Sequence, residues 1–170
     1  MCKIGFGGGC HWCTEAVFQS LKGVLKVEQG FIAPKGERST FSEAVIVHYD
    51  PTQIGLPDLI EIHLLTHNST SEHSMRIKYR SAIYWFDAAS ETKSKLVVED
   101  LQKGFGEKII TKVLPFGEFK SSDERFHNYY YTDPEKPFCE TYISPKLTIL
   151  RNRFGKKLDK GKINKCGAMP

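Results

Sequence analysis

The chain has 170 residues, 24 Lys and Arg against 20 Asp and Glu, with 40% apolar and 26% charged side chains. That length buries about two-thirds of the unfolded surface in one domain without covalent staples, and no run approaches the ~20 apolar residues of a membrane span. Lys156, Lys157, Lys160, Lys162 and Lys165 against Asp159 alone hold the whole net charge of +4, so residues 1–154 are neutral and no nucleic-acid-binding face is expected.

The N-terminus lacks the apolar core of a signal peptide, so a cytoplasmic protein is expected. Ile4-Gly5-Phe6 reads as a short strand that runs into Gly7-Gly8-Gly9-Cys10-His11-Trp12-Cys13, and Thr14 to Leu21 as a helix with Val17, Phe18 and Leu21 on one side. Gly23 stops that helix. Val24–Ile32 is a predicted strand, and Pro34 to Glu37 a turn. The β-formers of Glu43–Tyr49, closed by Asp50-Pro51, predict a buried strand. Leu56, Leu59, Ile60, His63 and Leu64 recur at helical spacing, with Pro57 in the first turn. A strand over Tyr79–Phe86 and a helix over about Ser90–Lys103, with Leu96, Val97 and Leu101 inward, follow. Then come a strand at Ile109–Leu114 and a short helix at Asp123–Tyr131. Residues 155–170 read as a basic, mobile tail. Alternating strands and helices indicate one α+β domain over 1–154.

Strand, glycine turn, then cysteine at a helix start is a layout for a reactive thiolate, because unpaired amide N–H groups and the helix dipole favour the anion. The five cysteines (Cys2, Cys10, Cys13, Cys139, Cys166) are an odd number, which argues against a structural disulfide framework. Haem attachment requires His directly after the second cysteine, where Thr14 stands. A zinc site lacks two further ligands at matching spacing, so no metal is expected. A thioredoxin-like dithiol remains a rival reading of Cys10 and Cys13.

Glu43 opens an otherwise apolar strand. In a dry pocket such a carboxyl stays protonated and serves as a general acid, while from position alone a solvent-facing strand end is the plainer reading. Tyr79 and Tyr84 read as phenol donors or as core. His63 reads as a satisfied core residue, and His127 has no decided role.

These residues resemble the peptide methionine sulfoxide reductase A family. Gly9-Cys10-His11-Trp12-Cys13-Thr14-Glu15 is similar to its Gly-Cys-Phe-Trp-(Gly/Cys)-Thr-Glu signature. Ser42-Glu43-Ala44-Val45 through Tyr49-Asp50-Pro51 resembles its His-Ala-Glu-Ala-Val strand and Tyr-Asp-Pro end. Tyr79–Tyr84, Phe126–Tyr130 and Pro137–Leu147 follow in the family's order. The resemblance implies a two-layer α/β sandwich of ferredoxin-like type and a thiol reaction without metal or organic cofactor. Cys10 would attack the sulfur of a methionine S-sulfoxide, peptide-bound or free, with Glu43 protonating its oxygen and Tyr79 assisting. The resulting sulfenic acid would condense with a second thiol, and thioredoxin (or dithiothreitol) would reduce the disulfide. Trp12 would wall the methyl pocket of a monomer.

Several departures bear on substrate recognition. The family's Phe after the nucleophile is His11, which makes one wall of the methyl cage titratable. The loop between Gly30 and Ser42 is short and lacks a tyrosine that shares the sulfoxide oxygen. The family's Asp-x-Gly-Thr-Gln is Ser74-Met75-Arg76-Ile77-Lys78, so Ser74 replaces a substrate-binding aspartate. The second thiol is open between Cys139, which matches the family's position, Cys13, and Cys166. Two other functions stay in view: a general thiol-disulfide oxidoreductase using Cys10 and Cys13, and a catalytically weakened relative that binds peptides or senses redox state.

Overall fold

The computed structural model describes residues 1–36 and 40–164. Five strands, β1 (Cys2–Gly7), β2 (Val24–Pro34), β3 (Ser42–Tyr49), β4 (Ala82–Trp85) and β5 (Lys112–Ser121), are joined by helices α1 (His11–Gln19), α2 (Leu56–Thr66), α3 (Ala88–Leu101), α4 (Tyr129–Thr132), α5 (Ser144–Phe154) and α6 (Lys160–Asn164). The fold is α+β. Its sheet differs from the open sandwich expected, because the order β1-β3-β2-β5-β4 closes on itself. Closure comes from β1, whose Gly5–Gly7 pair with Tyr84–Ala82 on β4 while its other side pairs with β3. Only β4 and β5 run parallel.

Side-chain alternation divides the closed sheet into two faces. Ile32, Ala44, Ile46, Ala82 and Tyr84 form a small cluster of their own. Gly5 points at it: a Cβ there would lie 2.9 Å from both Ile32 and Tyr84. Ile4, Phe6, Val45 and Val47 face the other way, into the main core beneath α1, α2 and α5. Phe6 of β1 stacks on Phe18 of α1 at 4.7 Å, and burying each such ring contributes roughly 1.5–3 kcal/mol. By parity Glu43 shares the face of Val45 and Val47, under α1.

Several elements depart from the sequence expectations. The predicted 79–86 strand is cut to Ala82–Trp85, because residues 78–80 instead bond to the start of β3: Glu43 N–H donates to Lys78 O (3.0 Å), and Arg80 N–H to Ser42 Oγ (2.7 Å). Strand β5 begins at Lys112 and runs on to Ser121, paired with both β4 and β2, which periodicity broken by Pro115 and Gly117 conceals. Leu96 is 61% exposed rather than inward. The expected 123–131 helix is broken at Asn128, whose φ of 55° is left-handed. Residues 155–164 do not form a detached tail. Leu158 is 4% exposed and bridges Leu21, Lys22 N–H donates to Lys157 O (2.7 Å), and Lys162 donates to the Leu21 and Val24 carbonyls. One apolar side chain and these orphan carbonyls outweigh the solvation of the lysines. Cys166 lies outside the described residues.

Candidate active site

The turn after β1 carries Cys10 to the N-cap of α1, where the Cys10 carbonyl accepts from the N–H groups of Cys13 (3.1 Å) and Thr14 (3.2 Å). Two of the three glycines are sterically required. A Cβ on Gly7 would meet the Arg80 carbonyl at 2.9 Å, and one on Gly8 would enter the His67 ring at 2.4 Å, whereas Gly9 has nothing within 4 Å. Arg76 pins the turn from outside. Its guanidinium donates to the carbonyls of Gly8 (2.8 Å), Asn68 (2.6 Å), Ser71 (2.9 Å) and Tyr79 (2.9 Å), tying the 67–79 loop to the residues before the thiol.

The Cys10 thiol is held below its ordinary pKa. The Cys13 S–H bonds to its sulfur and the Trp12 and Cys13 amides add to this, against burial and the nearby Glu43 carboxyl. Cys13, as the donor and in the core, is pushed far up in turn. The partly buried Lys146 ammonium of α5 donates to the Thr66 carbonyl and interacts electrostatically with both thiols, while desolvation pushes it down. Cys139 is 0% exposed in a π-turn (Cys139–Ile143) and lies within electrostatic reach of Cys13.

Glu43 is 8% exposed, so it is not the solvent-facing strand end that its position suggested. Its Oε2 accepts the His11 backbone N–H at 3.0 Å, which joins the carboxyl to the first turn of α1. Lys78 Nζ stands 3.7 Å from Oε1 and also lies 5.0 Å from the Tyr79 ring centroid, with the Tyr79 hydroxyl bonded to it. Trp12 stacks on Tyr129 (4.2 Å), lies 5.3 Å from Phe126 and meets Phe138 edge-on. Glu15, from the next turn of α1, accepts the Tyr129 N–H at 3.2 Å and so holds that ring against Trp12. Burial raises the Glu15 pKa.

Residues 2–158 match the family model for peptide methionine sulfoxide reductase. The chain belongs to that family. A peptide methionine sulfoxide reductase from Deinococcus radiodurans is 36% identical over 169 residues, covering 90% of this chain and 82% of that protein. The reduced form of Mxr1 from Saccharomyces cerevisiae shares the fold with a TM-score of 0.73 at 22% identity, over 83% of this chain and 90% of that one. Mxr1 solved in complex with Trx2 gives a TM-score of 0.61 at 22% identity, over 74% and 84% of the two chains.

Of the residues expected in the reductase site, Cys10, His11, Trp12, Cys13, Glu43 and Tyr79 gather around the start of α1. Cys139 lies behind Cys13, and Ser74 is exposed at the first position of a 3-10 turn (Ser74–Ile77). Tyr84 is core, its hydroxyl accepting from Arg80 at 3.3 Å. His63 is buried and stacks on Phe6 and His67. His127 donates to the Ser122 carbonyl at 3.1 Å. Sequence reading missed Lys78 as a neighbour of the carboxyl, Lys146 as a neighbour of the thiols, and Arg76 and Glu15 as the residues that hold the turn and the Tyr129 segment. The signal for Lys78 was its place directly before Tyr79; nothing local marked Lys146. A groove of about 690 Å³ on the far side of α1, lined by Glu15, Gln29, His127 and Lys162 among others, does not reach Cys10 or Glu43. Among the described residues no three His, Cys, Asp or Glu side chains could hold a metal ion, and no helix is long and apolar enough to cross a membrane.

Proposed function

We propose that Cys10 is the nucleophile that reduces methionine S-sulfoxide, with Glu43 supplying the proton. One observation carries this reading: a thiol favoured as its anion by the Cys13 S–H and two helix amides sits one residue from the N–H that bonds the Glu43 carboxyl. The Cys10 sulfur forms a bond to the sulfoxide sulfur, and the S–O bond breaks as Glu43 protonates the oxygen. The hydroxide so released attacks the Cys10 sulfur, the bond to the substrate breaks with its electron pair on the methionine sulfur, and net the substrate sulfur gains two electrons while Cys10 becomes a sulfenic acid. Lys78 faces the same carboxyl, with Tyr79 beside its ammonium, and the two stabilise the oxygen as it departs. The stacked Trp12 and Tyr129 supply an apolar wall for the substrate methyl, with His11 beside it and Ser74 at the rim.

Cys13 is the resolving thiol in this reading, because it already bonds Cys10; its S–H and the sulfenic acid yield a disulfide and one water. Cys139, buried in the same core cluster, would need a local opening to reach Cys10. Thioredoxin then reduces the disulfide, and no metal or organic cofactor takes part. The protein acts as a cytoplasmic monomer. The test is single-turnover reduction of methionine S-sulfoxide by pre-reduced protein. Cys10→Ser abolishes it, and Cys13→Ser retains one turnover but loses recycling with thioredoxin. No S-epimer reduction by the wild type with dithiothreitol overturns the proposal. The same thiol pair also suits general disulfide exchange, for which efficient insulin reduction unaffected by Glu43→Gln is the distinguishing result.

A further inference from the structure

His11 occupies an apolar first turn, is 5% exposed, and has both ring nitrogens accounted for by geometry. Nδ1 lies 2.8 Å from the Gly30 carbonyl of β2. A carbonyl only accepts, so Nδ1 carries the hydrogen and the neutral ring keeps its lone pair on Nε2. That nitrogen is 3.9 Å from Glu43 Oε2, a gap closed by a small side-chain rotation.

The groups facing this pair come from four segments. On β3 there is Glu43 itself; Lys78 follows the 3-10 turn and His127 follows the Glu124–Phe126 turn; Cys10 precedes α1. The Phe31 ring of β2 meets the imidazole edge-on at 5.2 Å. Burial, chiefly, with the Lys78 ammonium and the nearby His127 ring, pushes His11 down from its ordinary value, against the pull of Gly30 and Glu43. Both groups bonded to or paired with the Glu43 carboxyl, the His11 amide and the Lys78 ammonium, are donors. Neither can accept a carboxyl proton, whereas Nε2 can.

We propose that His11 is a positioning residue that acts through Glu43, its Nε2 holding the carboxyl proton in place for the sulfoxide oxygen. The inference rests on the reaction proposed above. In that step Glu43 gives one proton and is left as carboxylate, and solvent returns the proton before the next turnover, so the imidazole is neither consumed nor oxidised. A ring serving only as a wall of the methyl pocket would leave this proton chemistry unchanged.

Single-turnover rates at saturating methionine S-sulfoxide, followed from about pH 6 to pH 9, test the assignment in wild type, His11→Phe and His11→Asn. Phenylalanine keeps the ring volume without nitrogens, and asparagine keeps a donor for Gly30 without Nε2. Iodoacetamide alkylation of Cys10 in each variant separates the nucleophile's own ionisation. The expected result is an alkaline limb displaced downward by about one pH unit in both variants, hence ~10-fold slower turnover one unit above the wild-type midpoint. The alkylation profile stays unchanged and KM moves less than about 3-fold. Adding His11→Phe to Glu43→Gln is expected to cost nothing further, because the two act as one unit. An unshifted limb in both variants, or losses that multiply in the double variant, overturns the assignment while leaving Cys10 and Glu43 in their roles. Absence of wild-type turnover overturns the underlying reaction and this inference with it.

Discussion

Replacing Cys13 with alanine removes the S–H that is the largest influence favouring the Cys10 thiolate, and leaves the Trp12 and Cys13 amides in place. A hydrogen bond to a charged group is worth about 1.5–3 kcal/mol, and 1.36 kcal/mol corresponds to one pKa unit. Loss of the bond therefore raises the Cys10 pKa by about one to two units, since burial and Glu43 already oppose ionisation. Serine at position 13 retains a donor at the same place and is expected to restore most of the effect. The assay is iodoacetamide alkylation against pH, with modification of Cys10 read by peptide mapping so that the exposed Cys2 does not contribute. The alanine variant should alkylate about 10- to 100-fold more slowly below its midpoint. A midpoint equal to that of the wild type would refute the reasoning and assign the anion to the helix amides alone.

Gly8→Ala drives a methyl into the His67 ring and should cost about 1–3 kcal/mol, or a Tm lower by roughly 2–10 °C, whereas Gly9→Ala meets nothing and should be neutral in the same melt. Arg76→Ala leaves the Gly8, Ser71 and Tyr79 carbonyls without this donor and should destabilise by about 2–4 kcal/mol in denaturant titration; Arg76→Lys should recover less than half, because an ammonium has no planar fork. His67 is held neutral, its pKa pushed down to about 3 by burial. Its folded pKa lies below the unfolded value, so its contribution is complete above about pH 6.5 and is lost as pH falls toward 3. The denaturation midpoint should fall over that window, and His67→Asn should flatten the fall. Lys146→Met removes a partly buried cation near both thiols and should shift Cys10 alkylation to higher pH, by less than Cys13→Ala does.

The local features of the site were legible because they obey short-range rules. A glycine turn after an apolar run and a cysteine before helical periodicity place a thiol at an N-cap whatever the rest of the chain does. The strand 42–49 was legible for the same reason, as β-formers closed by Asp-Pro. What surrounds the thiol was not. Glu43 is buried only because register aligns Gly7 with Ala44 and brings α1 over the odd residues of β3, a consequence of pairing partners far apart in sequence. Lys78 looked like a loop substitution until Ser42 and Glu43 drew residues 78–80 onto the start of β3.

By itself the sequence determined the placing of Cys10 at a helix start, the α+β class and the family, since each depends on neighbouring residue types or an ordered set of motifs. The tertiary structure decided the closure of the sheet, the burial of Leu158 beside Leu21 just after α1, and the meeting of His11 with the Gly30 carbonyl and the Glu43 carboxyl. The physical reason is that electrostatics and burial depend on distance in space. A histidine one residue from a cysteine is only a titratable side chain until β2 and β3 bring a carbonyl to one of its nitrogens and a carboxyl to the other.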